Sequence, residues 1–102
     1  MYKYKVFNSS LFSFDTNGQY ETFFAKLYVQ LGKIGVPMIK LTDLWKVDEY
    51  DKIFEINSDF GNFEIVLDMY GEVFIQIKNN DKLFKQIYSL LKKSKDFKED
   101  ES

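Results

Sequence analysis

The sequence predicts an α+β domain: helix, three-stranded antiparallel meander, helix, with an extra N-terminal strand if the opening residues extend. Three observations lead there. Apolar residues recur at helical spacing over 19–34 and again over about 80–95. They alternate at strand spacing in three runs between 52 and 78. The connections between those runs, "SDFGN" and "YGE", are short and carry glycine, as hairpin turns do. Both helices are then expected on one apolar face of the sheet.

In chain order, "YKYKVF" alternates, with Tyr2, Tyr4 and Val6 on one side and Lys3 and Lys5 on the other. "LFSF" stands between "NSS" and "DTNG", with turn chemistry on both sides, and Thr16 or Asn17 is placed to cap the first helix. Over 19–34, Tyr20, Phe23, Phe24, Leu27, Leu31 and Ile34 form one buried helical stripe. Gly35 ends it and Val36-Pro37 prevents resumption. "PMIKL" reads as a short extended piece. Thr42-Asp43 offers a cap for one turn near Leu44-Trp45, and a loop suits the same residues.

The three strands are "KIFEIN" (52–57), "FEIVLDM" (63–69) and "VFIQIK" (73–78). Phe63, Ile65 and Leu67 share one face, and Glu64, Val66 and Asp68 the other. In the last strand Val73, Ile75 and Ile77 point in, and Phe74, Gln76 and Lys78 point out. The closing helix opens at Asn80 or Asp81 and buries Leu83, Phe84, Ile87, Leu90 and Leu91. Lys92, Lys93 and Lys95 complement its negative C-terminal end. Residues 1–95 read as a single domain, and 96–102 as a charged tail that frays.

Composition narrows the function classes. With 102 residues the chain builds one core. A hydrophobic fraction of 45% against 29% charged residues places it among folded globular proteins. Cysteine is absent, so packing alone must hold the fold, as suits a cytoplasmic protein. No apolar run approaches the roughly 20 residues of a membrane span, and "MYKYKVFNSS" lacks the apolar core of a secretion signal. Histidine is absent and all fourteen basic residues are lysine. The commonest general base and the planar fork for phosphate recognition are therefore both missing.

Ser-His-Asp and Cys-His arrangements cannot be built from these residues. Paired carboxylates remain, but no pair stands out, and an enzyme is not expected. "NSDFGNFE" lacks the ligand spacing of a calcium loop, and the five glycines are scattered rather than gathered around a phosphate, so no cofactor or metal is expected. The lysines of the last helix (Lys82, Lys85, Lys92, Lys93, Lys95) favour nucleic acid weakly. A sequence pI near 5.1 and the acidic tail weigh against it.

Charge is strongly segregated. Residues 1–42 carry a net +3, 43–72 carry −7, 73–95 carry +5 and 96–102 carry −3. The acidic stretch also holds the only tryptophan, and "DLWKVDEYD" packs four carboxylates around it. Aromatic anchors inside a charged rim are the make-up of a contact surface, and clustered like charge speeds encounter with a basic partner. The candidate contact residues are Asp43, Trp45, Asp48, Glu49, Tyr50 and Asp51, with Glu64 and Asp68 on the sheet beside them. Glu55 joins them in one strand register.

The stretch "FEIVLDMYGEVFIQI", strand, D-x-x-G turn and strand, is similar to segments of small immunity proteins from bacterial polymorphic-toxin and contact-dependent inhibition systems. Size, acidity and the lack of cysteine agree with that resemblance, which covers residues 63–77. It implies a cytosolic protein that binds and neutralises a toxin domain, often a nuclease, by stoichiometric blockage. The chain also resembles acidic secretion chaperones in size and charge, which would make it a dimer holding an effector segment. It departs from them in having a single meander. A regulatory domain without catalysis is the third reading.

Overall fold

The computed structural model describes residues 1–38, 52–68 and 70–101. Among these, six strands form one mixed sheet: β1 (Tyr2–Phe7), β2 (Leu11–Asp15), β3 (Lys52–Ser58), β4 (Gly61–Leu67), β5 (Glu72–Gln76) and β6 (Phe97–Glu99). Two helices, α1 (Tyr20–Leu31) and α2 (Asp81–Lys93), complete the α+β fold, and a 3₁₀ turn (Gly32–Ile34) extends α1. The strand order is β3-β4-β5-β2-β1-β6, and only the β1–β6 pair is parallel.

The expected meander is β3-β4-β5, half of this larger sheet. The N-terminal region supplies two further strands. "LFSF", between its two turns, is β2, in the middle of the sheet, paired to β1 on one side and β5 on the other. Its alternation is visible in the burial of Phe12 and Phe14 against the half-exposed Leu11 and Ser13. The tight β1–β2 turn places Asn8 at φ 57, a conformation that asparagine tolerates.

Both helices cover the same face. Phe12 stacks on Phe84 of α2 with centroids 4.9 Å apart, and Phe14 meets Phe23 of α1 edge-on at 5.4 Å. Residues two apart on a strand share a side, so α1 and α2 lie together on the face bearing Tyr4, Phe12, Phe14, Ile65, Val73 and Ile75, all buried. The inward positions expected on β4 and β5, and on both helices, are buried except for Tyr20 and Leu90, which are partly covered.

Local chemistry sets the element ends. Neither Thr16 nor Asn17 caps α1 through its side chain; Gln19 occupies that position without a side-chain bond. The Thr16 hydroxyl instead donates to the Gly71 carbonyl at 2.9 Å, tying this loop to the β4–β5 turn. Gly35 ends the 3₁₀ turn at φ 85, a left-handed conformation that favours glycine, and a Cβ there would displace the Asp59 carboxylate, 2.3 Å away. Asn80 caps α2, accepting from the Leu83 amide at 3.0 Å, while its amide group donates to the Phe60 carbonyl at 2.9 Å. One side chain thus fastens the helix start to the β3–β4 turn.

The C-terminal segment does not fray as expected. Phe97 is 4% exposed and packs on Tyr2, Phe14 and Phe23. The amides of Tyr2 and Asp100 donate to the carbonyls of Asp96 and Tyr4, at 2.8 and 2.7 Å. The charge of "KDFKEDES" conceals one buried aromatic, and burying that ring outweighs the ordering of its few neighbours. The Tyr88 hydroxyl donates to Glu99, joining α2 to β6. That bond, together with partial burial, pushes the Tyr88 phenol up to about 12. Burial, reinforced by the Glu99 charge, does the same for Tyr4.

These contacts have measurable consequences. Phe97→Ala should lower the unfolding free energy by about 3–5 kcal/mol in urea titrations, where a frayed tail would give almost nothing. For the tyrosines the folded state favours the neutral phenol. Their stabilisation is therefore complete below the ordinary value of 10 and disappears as pH rises through about 12. Urea midpoints should fall across that window, and Tyr88→Phe should fall less steeply there while being less stable at neutral pH.

Candidate functional site: the open face of the sheet

The helices occupy one face, and among the described residues no element covers the other. Strand alternation sends every second side chain to this open face, and the register sorts those side chains into rows across the strands. One row runs Ile53, Val66, Phe74 and Ser13 over β3, β4, β5 and β2. A row on one side of it runs Glu55, Glu64, Gln76 and Leu11. On the other side stand Asp68, Glu72 and Asp15.

An apolar strip of Ile53, Val66 and Phe74 therefore lies between two carboxylate rows. Ile53 is 64% exposed, and Val66 and Phe74 are half-buried by their neighbours. Glu55 and Glu64 face each other across β3 and β4, and Asp15 and Glu72 across β2 and β5. Like charges directly opposite one another destabilise a sheet. The fold softens each pair without cancelling it. Lys78 reaches Glu64 at 3.5 Å, Asn62 donates to Glu55 at 3.4 Å, and the Ser13 hydroxyl donates to Glu72 at 3.4 Å.

Asp68 has a second employment. One of its carboxylate oxygens accepts from the amides of Tyr70 and Glu72, at 2.8 and 3.0 Å, and so holds the β4–β5 turn. Tyr70, at the tip of that turn, is 83% exposed. A shallow depression of about 290 Å³ opens between Glu55, Glu64, Gln76 and Lys78. A second, about 470 Å³, lies toward β1 among Lys3, Lys5, Asp15, Tyr70 and Glu72. At this end the face turns basic: Lys3, Lys5 and Lys98 project from β1 and β6, with Asp100 beyond them.

Of the expected contact residues, Glu64 and Asp68 lie on the open face, and Glu55 joins them. Asp43, Trp45, Asp48, Glu49, Tyr50 and Asp51 lie outside the described residues, as do most of "PMIKL" and the turn proposed near Leu44-Trp45. Sequence reasoning missed the part played by Ile53, Glu72 and Asp15. Asp15 could not be placed without recognising "LFSF" as a strand, and Ile53 depended on the phase of β3. Phe74 and Val66 were already legible as outward-facing aromatic and aliphatic positions.

Among the described residues no three ligating side chains converge as a metal site would require, and no helix is long and apolar enough to cross a membrane. Comparison with family models, with curated proteins and with solved structures gives no match.

Relieving the like-charge pairs should stabilise the isolated protein. Glu55→Gln and Glu72→Gln are each expected to gain about 0.2–1 kcal/mol, the gain shrinking as salt screens the repulsion. Lys78→Gln should act in the opposite direction. Urea titration at low and high ionic strength reads all three.

Proposed function

We propose that this protein is an immunity protein, which binds a cognate bacterial toxin domain and neutralises it through an acidic, aromatic-containing surface. The single observation that favours this reading is the open face of the sheet, where an apolar strip that no described element covers stands between rows of carboxylates. A fold gains nothing in isolation from leaving Ile53 in water with Val66 and Phe74 only partly covered beside it, or from setting Glu55 against Glu64. A cationic partner would convert both features into contact energy, covering the strip and relieving the repulsion. The expected contact residues Asp43, Trp45, Asp48, Glu49, Tyr50 and Asp51 directly precede β3 in sequence and belong to the proposed contact set.

The partner's chemistry follows from the charge. A nuclease cleft must be positive to admit a phosphodiester backbone, and an acidic protein competes for that field. Inhibition is then one-to-one blockage without turnover, in the cytoplasm of the cell that makes the toxin. The test is to mix the protein with the toxin domain encoded immediately upstream of its gene. A one-to-one complex in light scattering, with rescue of cells expressing that toxin, is expected. Absence of both binding and rescue would overturn the reading.

A further inference from the structure

The open face has three properties that together specify more than a basic partner. The first is spacing. Adjacent rows are two residues apart along the strands, so the two carboxylate rows stand about 13 Å from each other at ~3.3 Å per residue. That is slightly more than the 10–12 Å diameter of an α-helix with its side chains. The second is composition: apolar in the middle, acidic on both flanks. The third is polarity. The acids gather over β3, β4, β5 and β2, whereas Lys3, Lys5 and Lys98 stand at the β1–β6 end.

We infer that the face receives a cationic amphipathic helix of the partner, laid across the strands with its N-terminus over β3 and its C-terminus over β1. Its apolar stripe covers Ile53, Val66 and Phe74. Lysines or arginines on its two sides meet the Glu55–Glu64 row and the Asp68–Glu72–Asp15 row. The direction is set by the helix dipole, whose positive end belongs beside the carboxylates and whose negative end belongs beside Lys3 and Lys5. From Ile53 to Lys5 is four strand spacings, about 19 Å at ~4.8 Å each, which three to four helical turns span at 5.4 Å per turn.

A second copy of this chain fits less well. Two such faces brought together would each present more carboxylates (Asp15, Glu55, Glu64, Asp68, Glu72) than lysines (Lys3, Lys5, Lys78, Lys98). Net repulsion would oppose the apolar gain. A cationic helix has no such conflict.

The inference rests on the reading of this face as the toxin-binding surface, and its test is separable from that reading. The probe is a synthetic helical peptide of lysine and leucine, with leucines on one face and lysines on both flanks. A scrambled peptide of the same composition serves as the control. Titrated into the isotopically labelled full-length protein, the amphipathic peptide should shift the amides of Ile53, Glu55, Glu64, Val66, Glu72 and Phe74. The scrambled one should bind more weakly and without that pattern. A spin label on the peptide N-terminus should broaden resonances of β3, and one on the C-terminus those of β1. Phe74→Ala should weaken binding about tenfold. Lys3→Glu combined with Lys5→Glu should remove the preference for one direction.

Shifts confined to the helical face or to the sheet edges would overturn the inference, as would equal binding of the two peptides or a reversed label pattern. Should the upstream toxin bind and be neutralised while the peptide fails to map here, the helix inference alone falls. Should the peptide map as expected while the toxin does not bind, the immunity reading alone falls.

Discussion

The pairing of β2 with β5 is the joint on which the rest of the molecule depends. It connects two halves that are otherwise local: the N-terminal hairpin with its parallel strand β6, and the β3-β4-β5 meander. Five registered positions from Leu11–Gln76 to Asp15–Glu72 make that joint. On its inner side Phe12 and Phe14 lie against Val73 and Ile75, with Phe84 and Phe23 of the two helices above them. A slip of one residue would turn both phenylalanines to solvent and bring Ser13 and Asp15 into the core. The register is therefore strongly determined by burial, and it also fixes which residues share a row on the open side.

The outer face is the counterpart of that constraint. Because the inner side takes every apolar position it can, the outer positions of β2–β5 are left to polar and charged residues, and most obey this rule. Leu11, Ile53, Val66 and Phe74 do not, and the last three fall in one row. Asp15 is brought opposite Glu72 by the same β2–β5 register that buries Phe14, so the requirement that organises the core also produces one of the opposed carboxylate pairs. Asp15 also accepts from the Asn17 amide at 2.9 Å, but Lys or Thr in place of Glu72 would avoid the opposed charges without disturbing the core. Their presence is a departure from what stability alone would select, and such departures gather where a surface has another use.

How much of this is legible in the sequence depends on how local the signal is. The β4–β5 hairpin announces itself through strict alternation on both sides of a glycine turn, and that alone assigns its inward and outward residues correctly. The α2 stripe and its Asn80 cap are equally plain, since Asn80 answers a local need of the helix start. β2 is hidden because four residues between two turn motifs form a strand only when long-range partners exist on both sides. Strand propensity is set largely by those partners. β6 is hidden for a related reason: its neighbours are charged, and only the docking of Phe97 between Tyr2 and Phe23 gives the segment a place. The candidate site shares this limit. Glu64, Val66 and Phe74 can be put on one face from the sequence, but their arrangement into rows with Ile53 and Asp15 requires the register.

The opposite signs of charge also stay apart for a structural reason. Lysines of α2 could in principle neutralise the acids of the meander. Two of them are held elsewhere: Lys82 lies over the Phe60 ring at 5.5 Å and Lys92 over the Tyr88 ring at 4.6 Å. The helix layer stands between α2's outer lysines and the open face, in a molecule whose shortest dimension is 22 Å. Exposed charges interact weakly beyond the Debye length of about 8–10 Å at physiological salt, and among the described residues no α2 lysine forms an ion pair with these carboxylates. Lys78 is the exception because it comes directly after β5 and can reach Glu64. A two-layer fold with its helices on one side thus keeps the α2 lysines away from the open face, where the carboxylates of β2–β5 stand with Lys78 beside Glu64 and with Lys3, Lys5 and Lys98 at the β1–β6 end.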